Sequence, residues 1–439
     1  MPGGCEGAAT GFPVGRESEG AATGSAGGAR GSATGVPTAD ASEGSATGSP
    51  TVGGTERAAS GGTVFSAAGV WPLLAFLADG AAGAARDELA GAVGLPAGEA
   101  AGAARELSRG MARVRGVCSA LGLWTGRTLE LREEWAAGLP VGAHGVLSGD
   151  PAADQRELDA WAARRTGGLI ERMPVPVRHD TELVLAGALA VRTDWLQRFL
   201  DLPLLPETGP WADRALLGLH RTSSLLDRVG VADTPDGHVT ELKVLGDTAV
   251  DVHLLLGEEH MTAGQVLGAG VGVLARSRPV LSGFQLPYGE PGPGLRVVRR
   301  RTARREPPTL SVTTPAFGLR AHHDLLTLHR LFGLTAARDA SEGHFPGISG
   351  VPPAVGSAQQ STMAEFGATG FRAAAVTAPG ATATGVPVLR WTTTRIEAVL
   401  DRPFGFLAVH RHSRLVLAAG WVTHPRPYPD DSALFSEEF

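Results

Sequence analysis

Leu183-Val184-Leu185-Ala186-Gly187-Ala188-Leu189-Ala190-Val191, followed at short range by Trp195 and Phe199, is the stretch whose reading decides the fold. Nine consecutive residues without a polar side chain show neither helical nor alternating period. Such a run is the pattern of a strand buried on both faces. Before it, apolar residues recur at helical spacing. Val64 to Leu77 is strongly apolar and is broken by Asp79-Gly80-Ala81-Ala82-Gly83. Arg86 to Val93 reads as a short amphipathic helix ending at Gly94, and residues 101–116 and 154–173 as longer ones. In the last of these Leu158, Trp161, Ala162 and Leu169 share a face, with Glu157 and Arg164 looking outward.

After the run, Val239 to Leu242, Val250 to Leu256, Leu267 to Leu274 and Leu310 to Thr314 read as strands between Gly, Asp and Pro turn signals. A helix is predicted at Asp324 to Leu331, and alternation resumes at 396–400, 405–410 and 415–422. A helical first half and a strand-rich second half, with no linker between them, predict one mixed α+β domain.

The chain has 439 residues, 43% of them hydrophobic, enough to bury one large core or two ordinary ones. Its net charge of -6 gives no global attraction for nucleic acid or an acidic membrane, and no apolar run reaches membrane-spanning length. The basic residues are almost all arginine, with Lys243 the only lysine. Two cysteines, Cys5 and Cys118, make no disulfide framework, and Cys118 reads as a small buried hydrophobe. Residues 1–55 are rich in Gly, Ala, Ser, Thr and Glu, with near-repeats at Glu6, Glu19 and Glu43. They have almost nothing to bury and read as a disordered tail, or else as the product of a mistaken start site. No positively charged region followed by an apolar stretch opens the chain, so no export signal is expected as it is written.

Gly-x-Ser-x-Gly, a Walker loop, His-Glu-x-x-His and Cys-x-x-Cys are all absent from the sequence. His322, His323, His329, His410 and His412 lack a carboxylate or thiol at ligand spacing and read as surface histidines rather than a metal site. Six arginines between Arg296 and Arg305 read as a solvated hairpin or loop, with a polyanion site as the alternative. With no catalytic constellation, the chain is not expected to be an enzyme, and no cofactor or metal is implied.

Several segments, in order, resemble the serpin family of protease inhibitors. They are Thr63-Val64-Phe65-Ser66 with Val70 to Gly83; Leu158-Asp159-Ala160-Trp161 with Thr166 to Ile170; and Leu183 to Phe199, with Trp195 in the family's tryptophan position. Pro315-Ala316-Phe317, Asp324-Leu325, Phe332-Gly333-Leu334 and Gly347-Ile348-Ser349 resemble the stretch before the family's reactive loop. Asp401-Arg402-Pro403-Phe404 with Phe406 resembles its C-terminal signature, from which Gly405 departs. The resemblance implies a serpin fold: three β-sheets, about eight helices and an exposed reactive-centre loop. The family's first helix, before Thr63, is expected to be missing. The implied organisation is a tail over 1–55, a serpin domain over 56–427 with its loop at about 370–395, and a flexible tail over 428–439.

The resemblance also implies a mechanism: a protease cleaves the exposed loop, which inserts into the main sheet and drags the acylated protease with it. Insertion needs small, uncharged residues in the hinge. Aligned to the family, the hinge is Gly370, Phe371, Arg372, Ala373, Ala374, Ala375, Val376 and Thr377. By strand alternation Phe371, Ala373, Ala375 and Thr377 would face the core and Arg372, Ala374 and Val376 would face outward. Bulky Phe371 predicts feasible but slow insertion. Counting from the hinge glycine places the reactive bond at Thr384-Gly385, with Arg390 the alternative. The sheet-opening region is expected at Trp195, Gly187, Gln360, Ala316 and Ala368. Ala316 and Ala368 stand where the family has a Lys–Glu salt bridge, and Gly187 and Gln360 where it has an Asn and a His.

The implied function is a suicide-substrate inhibitor of serine, or alternatively cysteine, endopeptidases. The rival is a non-inhibitory serpin-fold binding or storage protein. The expected partner is a target protease, with no nucleic acid and no membrane, and the chain is expected to be a monomer. Family members are often extracellular; a cytoplasmic location follows if the start is correct.

Overall fold

The structure is a computed structural model that describes residues 62–429, except 174, 176, 180, 340, 341 and 371–389. The N-terminal half runs β1 (Thr63–Phe65), α1 (Ala67–Gly80), α2 (Gly83–Val93), α3 (Ala97–Ala112), β2 (Val117–Gly126), α4 (Glu133–Ala137), β3 (His144–Leu147), α5 (Pro151–Thr166) and β4 (Leu183–Val191). Then come β5 (Leu200–Leu204), β6 (Leu216–Ser223), β7 (Val229–Thr234), β8 (Gly237–Val244), β9 (Val250–Gly257), α6 (Ala263–Leu274) and β10 (Val280–Ser282). The chain closes with β11 (Leu295–Thr302), β12 (Thr309–Pro315), β13 (Phe317–Asp324), β14 (Val355–Phe366), β15 (Trp391–Val399), β16 (Phe404–His410) and β17 (Val416–Val422).

These strands make three sheets, ordered β13-β14-β4-β2-β3, β1-β17-β16-β9-β8-β7-β10 and β11-β15-β12-β6-β5. The nine-residue apolar run is β4, buried at every position in the middle of the first sheet. Helices cover it. Helix α1 is apolar on nearly all faces and packs Leu73 and Leu77 into one core with Leu183 and Leu185 of β4. Helix α5 begins at Asp150, whose carboxylate accepts from the amides of Ala152 and Ala153, and stops at Gly167 in the left-handed region. Its Leu158, Trp161 and Ala162 cluster with Trp124 of β2 and Ala186 and Ala188 of β4.

Several local expectations are corrected. Helix α5 ends before Leu169, so that residue leaves the shared face. Leu267–Leu274 is helical, not a strand. A capping box of Thr262 and Gln265 starts α6, and its Gly270 packs so close to Leu255 that a Cβ there would lie 2.3 Å from that side chain. Asp324–Leu331 is not a helix. Asp324 turns its carboxylate onto the amide of Leu326, and the segment proceeds as turns to Gly333 at φ +65. Six α-helices are present among the described residues, against about eight expected. The first helix, expected to be missing, would precede Thr63, outside the described residues. Cys118 is half-buried and is not a free thiol, so it is not the enclosed hydrophobe expected.

Candidate functional site: the loop junction and the strand pair beneath it

The site is built at the end of β14. Its last residue, Phe366, is fully buried and stacks on Phe317 with ring centres 5.2 Å apart. Trp195 and Phe199 approach it at 4.9 and 5.9 Å. Beyond Phe366 the chain turns back on itself, the Gly367 amide donating to the Gly370 carbonyl at 3.0 Å. The segment after β4 holds this turn from outside. The Trp195 amide donates to Thr369 O at 2.9 Å, the Phe199 amide to Ala368 O at 2.9 Å, and the Trp195 indole to Gly367 O at 2.8 Å. Gly370 bridges to Asp194, and a Cβ at 370 would lie 2.5 Å from Thr193 O, so this close approach needs a glycine. The hinge glycine and the tryptophan read from the sequence are therefore in one place.

Below the junction, β14 and β4 are parallel and directly paired, from Val355 opposite Leu183 to Met363 opposite Ala190. Gln360 stands opposite Gly187 in that register. The Gln360 side chain, fully buried, accepts from the Ser66 amide at 3.0 Å and donates to the Ser66 carbonyl at 2.7 Å. Ser66 is also the N-cap of α1, its hydroxyl accepting from Gly69 and donating to Leu417 O. Helix α1 passes so near β4 that a Cβ on Gly187 would lie 3.2 Å from Gly69 O. Beside Gln360, His322 bonds Ser361 Oγ at 2.8 Å and His323 bonds Val64 O at 2.8 Å. Burial, and then the charge of His323, push the His322 pKa below its ordinary value. These histidines serve sheet structure, as does His410 with Ser413.

Ala316 and Ala368 are both buried in the apolar core, with Ala316 O accepting from Arg426 N at 2.8 Å. An ion pair nonetheless spans this corner, between Glu365 of β14 and Arg426 beyond β17. No local pattern in the sequence points to that pair. Nor does one mark Ser66 as the partner of Gln360, although a serine just ahead of an apolar helix is an N-cap signal. Phe371, Arg372, Ala373, Ala374, Ala375, Val376, Thr377, Thr384 and Gly385 lie outside the described residues. Arg390 is described and exposed, directly ahead of β15. The two ends of segment 371–389 thus join different sheets.

This architecture has known counterparts. The serpin (serine protease inhibitor) family profile matches residues 55–202 and 295–425. The chain therefore belongs to the serpin family. It is 24% identical over 401 residues to serpin-Z2A of rice (Oryza sativa subsp. japonica), covering 82% of this chain and 91% of that one. Among solved structures it resembles the thermophilic serpin tengpin in its native state, with a TM-score of 0.63 at 13% identity over 83% of this chain and 89% of the other. Human thyroxine-binding globulin in complex with thyroxine superposes with a TM-score of 0.63 at 15% identity, covering 85% and 94% of the two chains. Serpins are in general protease inhibitors rather than enzymes.

Proposed function

We propose that the chain inhibits serine endopeptidases as a suicide substrate, its loop inserting between β14 and β4 after cleavage. The observation that carries this reading is the direct parallel pairing of those two strands below the point where the loop leaves β14. The turn from Gly367 to Gly370 reverses the chain. A segment continuing from Gly370 and parting these two strands would run antiparallel to both. It would replace one parallel ladder by two antiparallel ones, and parallel pairing is the slightly weaker kind. The native fold would then be held by kinetics rather than by depth of the minimum. The length fits: twelve-residue β14 spans about 40 Å. Fourteen steps from Gly370 to Thr384 cover about 46 Å.

Incubation with a panel of serine and cysteine proteases, read by SDS electrophoresis, tests the proposal. A high-mass complex resistant to SDS supports it. Loop cleavage by every protease with no such complex overturns it in favour of a non-inhibitory binding or storage protein.

A further inference from the structure

Residues Leu295–Thr302 form a strand, not the solvated hairpin or loop expected, and β11 is the edge of its sheet. It pairs with β15 along its whole length, Arg299 opposite Thr394, Arg300 opposite Thr393, Arg301 opposite Thr392 and Thr302 opposite Trp391. Strand β15 is where segment 371–389 rejoins the body of the protein, with exposed Arg390 one residue ahead of it. Three consecutive exposed arginines therefore stand one strand spacing, about 4.8 Å, from the far end of the loop. The chain as a whole carries -6, so this is a local reversal of sign. Among the described residues none of the three arginines forms an ion pair, while neighbouring Arg395 is matched to Glu397 at 3.1 Å.

Aromatic side chains share this corner. The guanidinium carbon of Arg299 lies 4.7 Å from the ring centre of Tyr288, and the Tyr288 hydroxyl bonds Thr394 Oγ1 at 2.9 Å. Tyr288 is 51% exposed and Trp391 49%. Exposed Trp, Tyr and Arg together are the residue types that dominate binding energy at protein interfaces. A polyanion would recruit the arginines alone.

We infer that this corner is a second docking surface for the target protease, and that it selects proteases carrying an acidic face beside the active-site cleft. The inference rests on the loop being bait, as proposed above. A standard interface takes about 800 Å² per partner, a disc about 16 Å in radius, so a protease seated on the loop covers a patch one strand away. Opposite charges there speed encounter and fade with salt.

The test uses two serine proteases that both cut after small residues, one acidic and one basic on its surface. The second-order rate of loop cleavage is measured from low to high NaCl, alongside the fraction of protease trapped. R299E/R300E/R301E should slow the acidic protease on the order of 10-fold at low salt, and the difference should shrink as salt rises. R299Q/R300Q/R301Q, a milder change to the strand, and W391A should each show a smaller loss. The basic protease should not be slowed, and the fraction trapped should stay at the wild-type level. Wild-type rates in all variants would overturn the inference. So would variants that lose only retention on heparin-agarose, which would mark a polyanion site. If the rates follow the arginines but the wild type traps nothing, the docking surface stands and the inhibitor reading falls.

Discussion

The side-chain amide of Gln360 grips both the N–H and the C=O of Ser66, 294 positions away in sequence, at 3.0 and 2.7 Å. One residue thereby ties β14 to the cap of the helix that lies over the sheet. Gln360→Ala would leave the buried Ser66 N–H without its partner, while the Ser66 carbonyl keeps the Gly69 amide at 3.2 Å. At 1–3 kcal/mol for an orphaned buried group, the native state should lose about 1–3 kcal/mol. Urea denaturation of the uncleaved protein reads this directly, and a loss below about 1 kcal/mol would mean that water replaces the side chain.

The choice of bait bond proposed above rests on tether length. Cleavage at Thr384-Gly385 leaves about 46 Å of strand, close to the length of β14, whereas cleavage after Arg390 leaves about 20 Å more. A protease that favours small residues should be trapped, with mass spectrometry locating the cut at Thr384-Gly385. Trypsin should cut after Arg390 and leave free and active. An SDS-stable trypsin adduct at Arg390 would refute the length argument.

Insertion itself can be read from heat stability. Cleavage anywhere in 380–391 should raise the melting temperature markedly, because an inserted segment gains two ladders and buried area. Ala375→Arg would place an unpaired charge on the core face of that strand. The variant should be cut at the normal rate, yet neither trap protease nor gain stability. Phe371→Thr should increase trapping relative to cleavage, since the bulkiest residue of the hinge is the first to enter. An unchanged melting temperature after wild-type cleavage means that no insertion takes place.

Acid should weaken the native state in two stages. The pKa of His322 is held below 6.5 by burial and then by His323, and burial also holds down His144, His220 and His410. Each is a base whose folded pKa is depressed, so the unfolded chain takes up protons first. The stability they contribute is present above pH 6.5 and is lost as pH falls below it. Burial alone would raise Glu241, but the hydrogen bond and charge of His253, together with Lys243, bring it below 4.5. That contribution is present above pH 4.5 and lost as pH falls further. Melting temperatures from pH 8 to 3.5 should show both declines. Glu241→Gln should flatten the lower one, and His322→Gln should reduce the upper one.

How much of this was legible in the sequence depends on where each signal sits. Leu183 to Val191 was readable because burial on both faces leaves a continuous apolar run. The pairs around α5 were readable because 3.6-residue spacing repeats within one segment. Segment 267–274 was misread because its valines favour a strand and its glycines weaken a helix, and only the Thr262–Gln265 box and tight packing on Leu255 decide otherwise. Strand β11 was misread because arginine-rich Arg296 to Arg301 shows little apolar alternation, and its pairing with β15 comes from far along the chain. The loop junction was half legible. Gly370 and Trp195 were found by their places in a familiar order, whereas Glu365–Arg426 and Gln360–Ser66 are meetings across the fold that no local pattern announces.

Strand β15, which follows the loop, lies inside its sheet, zipped to β12 on one side from Thr309 to Thr313 and to β11 on the other from Leu295 to Thr302. An intact loop cannot slide far between β14 and β4 unless β15 is first torn from both neighbours. Cutting the loop removes that obligation at a single peptide bond. Shelf life should therefore be long: kept warm without protease, the protein should retain its activity until it unfolds, rather than drifting into a spent form.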